Sequence, residues 1–73
     1  MPVTVDNIED VFTYHAPDAD QTVAYLKLRN EARQFAKAII ELTPVCADQQ
    51  AALRHLREAV MTANAAIALK GKV

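Results

Sequence analysis

Two stretches of this sequence repeat apolar residues at intervals of three and four, with a single proline between them. Tyr25, Leu28, Ala32, Phe35, Ile39 and Leu42 form the first series. Leu53, Leu56, Val60, Ala63 and Ile67 form the second. Such spacing draws an apolar stripe down one side of an α-helix. Pro44 ends the first helix near Leu42 or Thr43, because proline lacks a backbone donor and disfavours helix in the residue before it. Pro44-Val45-Cys46-Ala47 is then the only reversal before the second helix, so the pair reads as an antiparallel αα-hairpin.

The helix ends carry their own signals. Asp18 and Gln21 have capping-box spacing at the start of the first long helix, and Gly71 is placed to stop the second as a left-handed residue. The long helices are therefore predicted over about 18–43 and 47–70. A short helix over about 6–13 precedes them, capped by Asp6 or Asn7, with Glu9 and Asp10 where acids suit the helix dipole. Tyr14-His15-Ala16-Pro17 breaks it. The expected fold is all-α: one domain over 1–73, a short N-terminal helix followed by a long antiparallel hairpin.

Length makes that hairpin a candidate for self-association. A chain of 73 residues buries only roughly 60% of its unfolded surface, yet 52% of these side chains are apolar. Ala59 to Leu69 is apolar or small almost all the way round, and a hairpin partner covers only one side of it. A helix apolar all round is normally buried, so the remainder is expected to meet another copy in a compact homo-oligomer.

Several classes are excluded. The one cysteine, Cys46, makes no internal disulfide and no CxxC metal pair. No apolar run approaches the ~18 residues of a membrane span, and no signal peptide is visible at the N-terminus. There is no phosphate-binding loop, nucleophile elbow or paired-histidine metal motif. His15 and His55 lack i±4 ligand partners, and Arg54 with Glu58 is an ordinary helix-face pair. No cofactor and no catalytic group is expected.

Charge is unevenly placed. Residues 1–20 carry five acids and no base, whereas residues 21–73 carry eight Lys or Arg against four acids. Acidic helix starts and solvated helix faces account for this pattern; a modest cationic surface for a small anion accounts for it as well. Long nucleic acid fits poorly, since duplex binders show a strongly basic stripe. Three features stand out from the helical pattern. Tyr14, in a proline-constrained loop, reads as a hinge aromatic tucked against the next helix or as a stacking platform for a base. Arg29 and Arg33 lie four apart off the apolar seam, on a solvated face or around a shared anion. Asn64 interrupts an apolar run, where it would fix oligomer register or face a ligand pocket.

Three segments together resemble the phage anti-CBASS sponges: Phe12-Thr13-Tyr14-His15-Ala16-Pro17, then Tyr25-x-x-x-Arg29, then Leu56-Arg57-Glu58-Ala59-Val60-Met61-x-Ala63-Asn64-Ala65-Ala66-Ile67-Ala68. The resemblance covers roughly residues 8–69. It implies a phage protein that sequesters cyclic-oligonucleotide second messengers in the cytoplasm of the infected bacterial host, without cleaving them. It further implies a homo-hexamer binding cyclic dinucleotides between protomers and cyclic trinucleotides at a separate type of site. By the same resemblance Tyr14 stacks on a base and Arg29 pairs with a phosphate; Arg33 is a ligand candidate through its spacing to Arg29 alone. His15 and Pro17 shape the pocket, and Lys70 serves the trinucleotide site. A related hairpin occurs in phage anti-Thoeris sponges, which bind cyclic ADP-ribose derivatives; the N-terminal strand region expected of that branch is not seen here, so it ranks second. A non-catalytic helical protein–protein interaction module is the further alternative. An enzyme degrading cyclic nucleotides would have only Tyr14 and His15 to work with.

Overall fold

Three helices appear in the computed structural model, which describes residues 2–72: α1 (Ile8–Phe12), α2 (Ala19–Leu42) and α3 (Ala47–Ala68). The described residues contain no strand, so the fold is all-α. α2 and α3 pack antiparallel as a hairpin, and the chain measures 46 × 28 × 16 Å along its principal axes. No Cα of α1 comes within 8 Å of a Cα in either long helix. The short helix therefore sits at the open end of the hairpin without packing along it.

Local chemistry sets the boundaries. Asp18 caps α2 through its carboxylate, which accepts from the Gln21 backbone N–H at 2.8 Å. The Gln21 amide oxygen reciprocates by accepting from the Asp18 N–H at 3.0 Å, completing the capping box. At the other end Thr43 turns extended and its N–H closes on the Ile39 carbonyl. α3 starts on Cys46, whose Sγ accepts from the Gln49 N–H at 3.4 Å, so the lone cysteine serves as a helix cap.

The structure differs from the sequence expectation in three places. α1 is shorter than 6–13, and Asn7 does not cap it with its side chain. Its amide reaches backwards instead, accepting from the Thr4 N–H at 2.7 Å and donating to the Pro2 carbonyl at 3.1 Å. The α3 stop also falls earlier. Lys70, not Gly71, occupies the first left-handed position, with φ 54° followed by φ 75° at Gly71. The Gly71 N–H bonds the Ala66 carbonyl and the Lys70 N–H bonds Ile67, the paired closures of a Schellman motif.

The third difference lies in the seam. Leu28, Ala32, Ile39, Leu53, Leu56, Val60, Ala63 and Ile67 are half-buried, as an interhelical stripe requires. Phe35 and Leu42 are not: they are 59% and 83% exposed, and Ala36 and Ala38 are half-buried in that stretch instead. Phe35 sits at the rim of an interhelical recess with Leu56 and Val60, its large ring open on one side, and Leu42 is the last residue of α2, where the chain already turns away. Among the described residues no apolar side chain is fully buried; the one buried residue is Gln49, at 4% exposure. Its amide donates to the Thr43 carbonyl at 3.3 Å and lies 3.5 Å from that of Ile40. It thereby satisfies carbonyls that the end of α2 leaves open.

Candidate functional site

The residues singled out in the sequence fall into two places on the hairpin. The first is its open end, where the Tyr14–Pro17 loop meets the end of α3. A polar recess of about 410 Å³ there is lined by Tyr14, His15, Asp18, Gln21, Lys70 and Lys72, among others. Two hydrogen bonds tie the loop to α1. His15 Nε2 lies 2.6 Å from the Asp10 carbonyl. A carbonyl only accepts, so Nε2 carries the proton in this contact. Thr13 Oγ1 donates to the Glu9 carbonyl, closing the end of α1. Pro17 fixes its own φ immediately before the Asp18 cap, so the loop passes into α2 through a stiff joint.

Gln21 ties this end together. Its amide nitrogen donates to the Ile67 carbonyl at 2.9 Å, linking the first turn of α2 to the last turn of α3. Lys70 Nζ lies 4.0 Å from Asp18 Oδ2, a surface pairing with both side chains more than half exposed. Tyr14 is 82% exposed, so its ring is not tucked against α2. An exposed ring beside two lysines presents a flat apolar face next to positive charge, which suits a ligand carrying both a base and a phosphate.

A second recess adjoins the first. It measures about 450 Å³ and is bounded by Val11, Tyr14, His15, Tyr25 and Asn64. Asn64 Oδ1 is covered and has no hydrogen-bond partner here. An unpaired buried amide oxygen costs free energy, and Asn64 Oδ1 is the one such side-chain atom among the described residues.

The other place is midway along the hairpin. Arg29 and Arg33 of α2 face Arg57 of α3 across a groove of about 500 Å³, floored by Leu53, Leu56, Val60 and Met61. The Gln21–Ile67 contact fixes the register that makes this meeting: ten residues further along, Arg57 stands level with Glu31, between Arg29 and Arg33. None of the three arginines has an acidic partner within 4.0 Å among the described residues.

Within one chain, therefore, Tyr14, His15 and Lys70 share a recess, while Arg29 and Arg33 stand at another. Tyr14 and Tyr25 line one recess, and Arg29 stands four residues, about 6 Å of helix axis, beyond Tyr25. Sequence reasoning missed Lys72 and the Gln21 tie at the open end, and Arg57 in the groove. Arg57 joins the groove through the hairpin register, which the Gln21–Ile67 contact sets and no linear spacing displays; in the sequence Gln21 reads only as half of a capping box.

No group of three or more His, Cys, Asp or Glu among the described residues is arranged to hold a metal ion, and no helix there is long and apolar enough to cross a membrane. No curated protein and no solved structure matches the chain. A family model does: the Acb2/Tad1 hairpin domain, over residues 5–68. The match takes in α1, the Tyr14 loop, the hairpin and the Arg groove together. With nearly the whole length aligned and a helical hairpin in the structure, the chain belongs to the Acb2/Tad1 hairpin family, the phage anti-CBASS and anti-Thoeris sponges for cyclic nucleotide signals.

Proposed function

We propose that this protein binds cyclic dinucleotides and cyclic trinucleotides and holds them unaltered, lowering the free messenger concentration in the cytoplasm of an infected bacterial host. The observation that carries this reading is the family match over residues 5–68. The exposed Tyr14 ring beside Lys70 and Lys72 supports it, because stacking and phosphate pairing are what such ligands demand.

In this reading Tyr14 stacks on a base and Arg29 pairs with a phosphate of a cyclic dinucleotide, with Arg33 adding positive charge. His15 and Pro17 set the loop that presents the ring. Lys70 contacts a phosphate of a cyclic trinucleotide, three copies around a symmetry axis matching three phosphates. Sites of this kind require assembly, and a homo-hexamer is the form the family resemblance implies. The absence of any fully buried apolar side chain among the described residues supports self-association, since a domain folds around a core of its own or shares one. A cyclic dinucleotide has approximate two-fold symmetry, so a two-fold contact would offer it two Tyr14 rings and two Arg29 guanidiniums.

Calorimetric titration with a panel of cyclic dinucleotides, cyclic trinucleotides and cyclic ADP-ribose derivatives tests the proposal. Saturable binding of the first two classes supports it. Binding of the third class alone moves the protein to the anti-Thoeris branch. Binding of none, with a stable contact to another protein, makes it an interaction module.

A further inference from the structure

The arginine groove and the first helix are complementary halves of one contact. The groove has an apolar floor, three guanidiniums on its rim and no acid paired to any of them among the described residues. α1 is the reverse: Ile8 and Phe12, four apart, form one apolar face, and Glu9 and Asp10 lie between them in sequence with no basic residue in the helix. Phe12 is 79% exposed and Val5, just before the helix, 89%. An amphipathic helix laid in an apolar groove, with its acids against the arginines, is a recurrent mode of recognition.

We infer that α1 of one copy docks in the Arg29–Arg33–Arg57 groove of a second copy, with Ile8 and Phe12 over Leu56 and Met61 and the acids along the guanidinium rim. The occupant is a second copy and not the same chain. The His15–Asp10 bond folds each α1 against its own loop, and Val11 lines the open-end recess beside Tyr25 and Asn64. No α1 residue lines the groove, and no Cα of α1 lies within 8 Å of a Cα of either long helix, so each groove is left uncovered by its own arm. The inference rests on the self-association proposed above and gives it a specific contact. It also gives Tyr14 and Arg29 a way to meet. Tyr14 follows Phe12 by two residues, so docking in trans brings Tyr14 to Arg29 of the partner subunit, although the two occupy separate recesses within one chain.

The test is charge reversal on the full chain, read without ligand by velocity sedimentation across a concentration series. One variant reverses the arm, Glu9→Lys with Asp10→Lys; the other reverses the rim, Arg33→Glu with Arg57→Glu. All four side chains are exposed, and Arg29 is left in place. Each variant alone shifts the assembly midpoint to about tenfold higher concentration or more. An equimolar mixture of the two restores the midpoint toward wild type, which docking within one chain does not do. Phe12→Ala, which removes the apolar anchor and leaves every charge unchanged, produces a similar loss that mixing does not repair. Circular dichroism on each variant separates lost contact from lost helix. If wild type assembles and both reversed variants assemble equally well, the docking is wrong while the sponge reading stands. If wild type is monomeric at every concentration, the docking and the self-association fall together, and the ligand titration alone decides the sponge reading.

Discussion

Truncating Gln21 to alanine isolates the one side-chain hydrogen bond that joins the first turn of α2 to the last turn of α3. The substitution removes two contacts: the Gln21 amide oxygen accepting from the Asp18 N–H at 3.0 Å, and its nitrogen donating to the Ile67 carbonyl at 2.9 Å. It leaves the Asp18 carboxylate bonded to the residue 21 backbone N–H, so the cap itself survives. A net intramolecular hydrogen bond contributes about 0.5–1.5 kcal/mol. The Asp18 contact belongs to the low end, because water replaces it on an exposed surface. The Ile67 carbonyl keeps the Lys70 N–H as a second partner, so it is not left bare. The two losses sum to about 1.5 kcal/mol by these magnitudes. Alanine's better helix propensity returns a few tenths, leaving a net loss of about 1 kcal/mol. For a domain of this size that lowers Tm by roughly 4–8 °C. Thermal denaturation followed by circular dichroism measures it, at one fixed protein concentration because assembly makes Tm concentration-dependent. An unchanged or raised Tm would refute the claim that this residue clamps the open end.

Other substitutions separate binding from folding. Tyr14→Ala removes an exposed ring and is expected to leave Tm unchanged while weakening cyclic dinucleotide binding by about 1–3 kcal/mol per stacked base, read by calorimetry. Lys70→Gly places glycine at φ 54°, relieving roughly 1 kcal/mol of left-handed strain. Its Tm is expected to rise while cyclic trinucleotide affinity falls and dinucleotide affinity holds, so a parallel change in both affinities would contradict the assignment. Gln49→Leu is expected to cost about 1–3 kcal/mol, measured by denaturant unfolding, because it leaves Thr43 and Ile40 carbonyls unpaired around a buried side chain.

Much of the fold was legible because its signals are local. Asp18 and Gln21 are three residues apart and meet through one turn of helix, and Pro44 acts on its immediate neighbours. What was not legible depends on geometry accumulated over distance. Phe35 and Leu42 fit a three–four series on paper, yet Phe35 stands at the rim of an interhelical recess and Leu42 at the very end of α2, where little of α3 is left to cover it. Lys70 displaced Gly71 as the first left-handed residue because the Schellman closures formed one residue earlier than glycine's preference suggested.

The candidate site divides in the same way. Tyr14, Arg29 and the loop residues were named from motif resemblance and local context. Their grouping was hidden, because it follows from hairpin register and from which side of each helix faces the groove. That register sets Lys70 beside Tyr14 and Arg57 opposite Arg29 and Arg33, combinations no linear spacing displays. Gln49 escaped notice for a similar reason: its partners lie across the turn, on the end of the preceding helix.

Sequestration without chemistry is the central claim, and ligand recovery tests it most directly. The protein is saturated with a cyclic dinucleotide, freed of excess ligand, held for hours, then denatured, and the released nucleotide is weighed by mass spectrometry. The account predicts that the ligand returns at its original mass, in stoichiometric amount relative to the sites filled. A released species heavier by one water, or a linear product growing with time, would mean the protein cleaves its ligand and the sponge account is wrong.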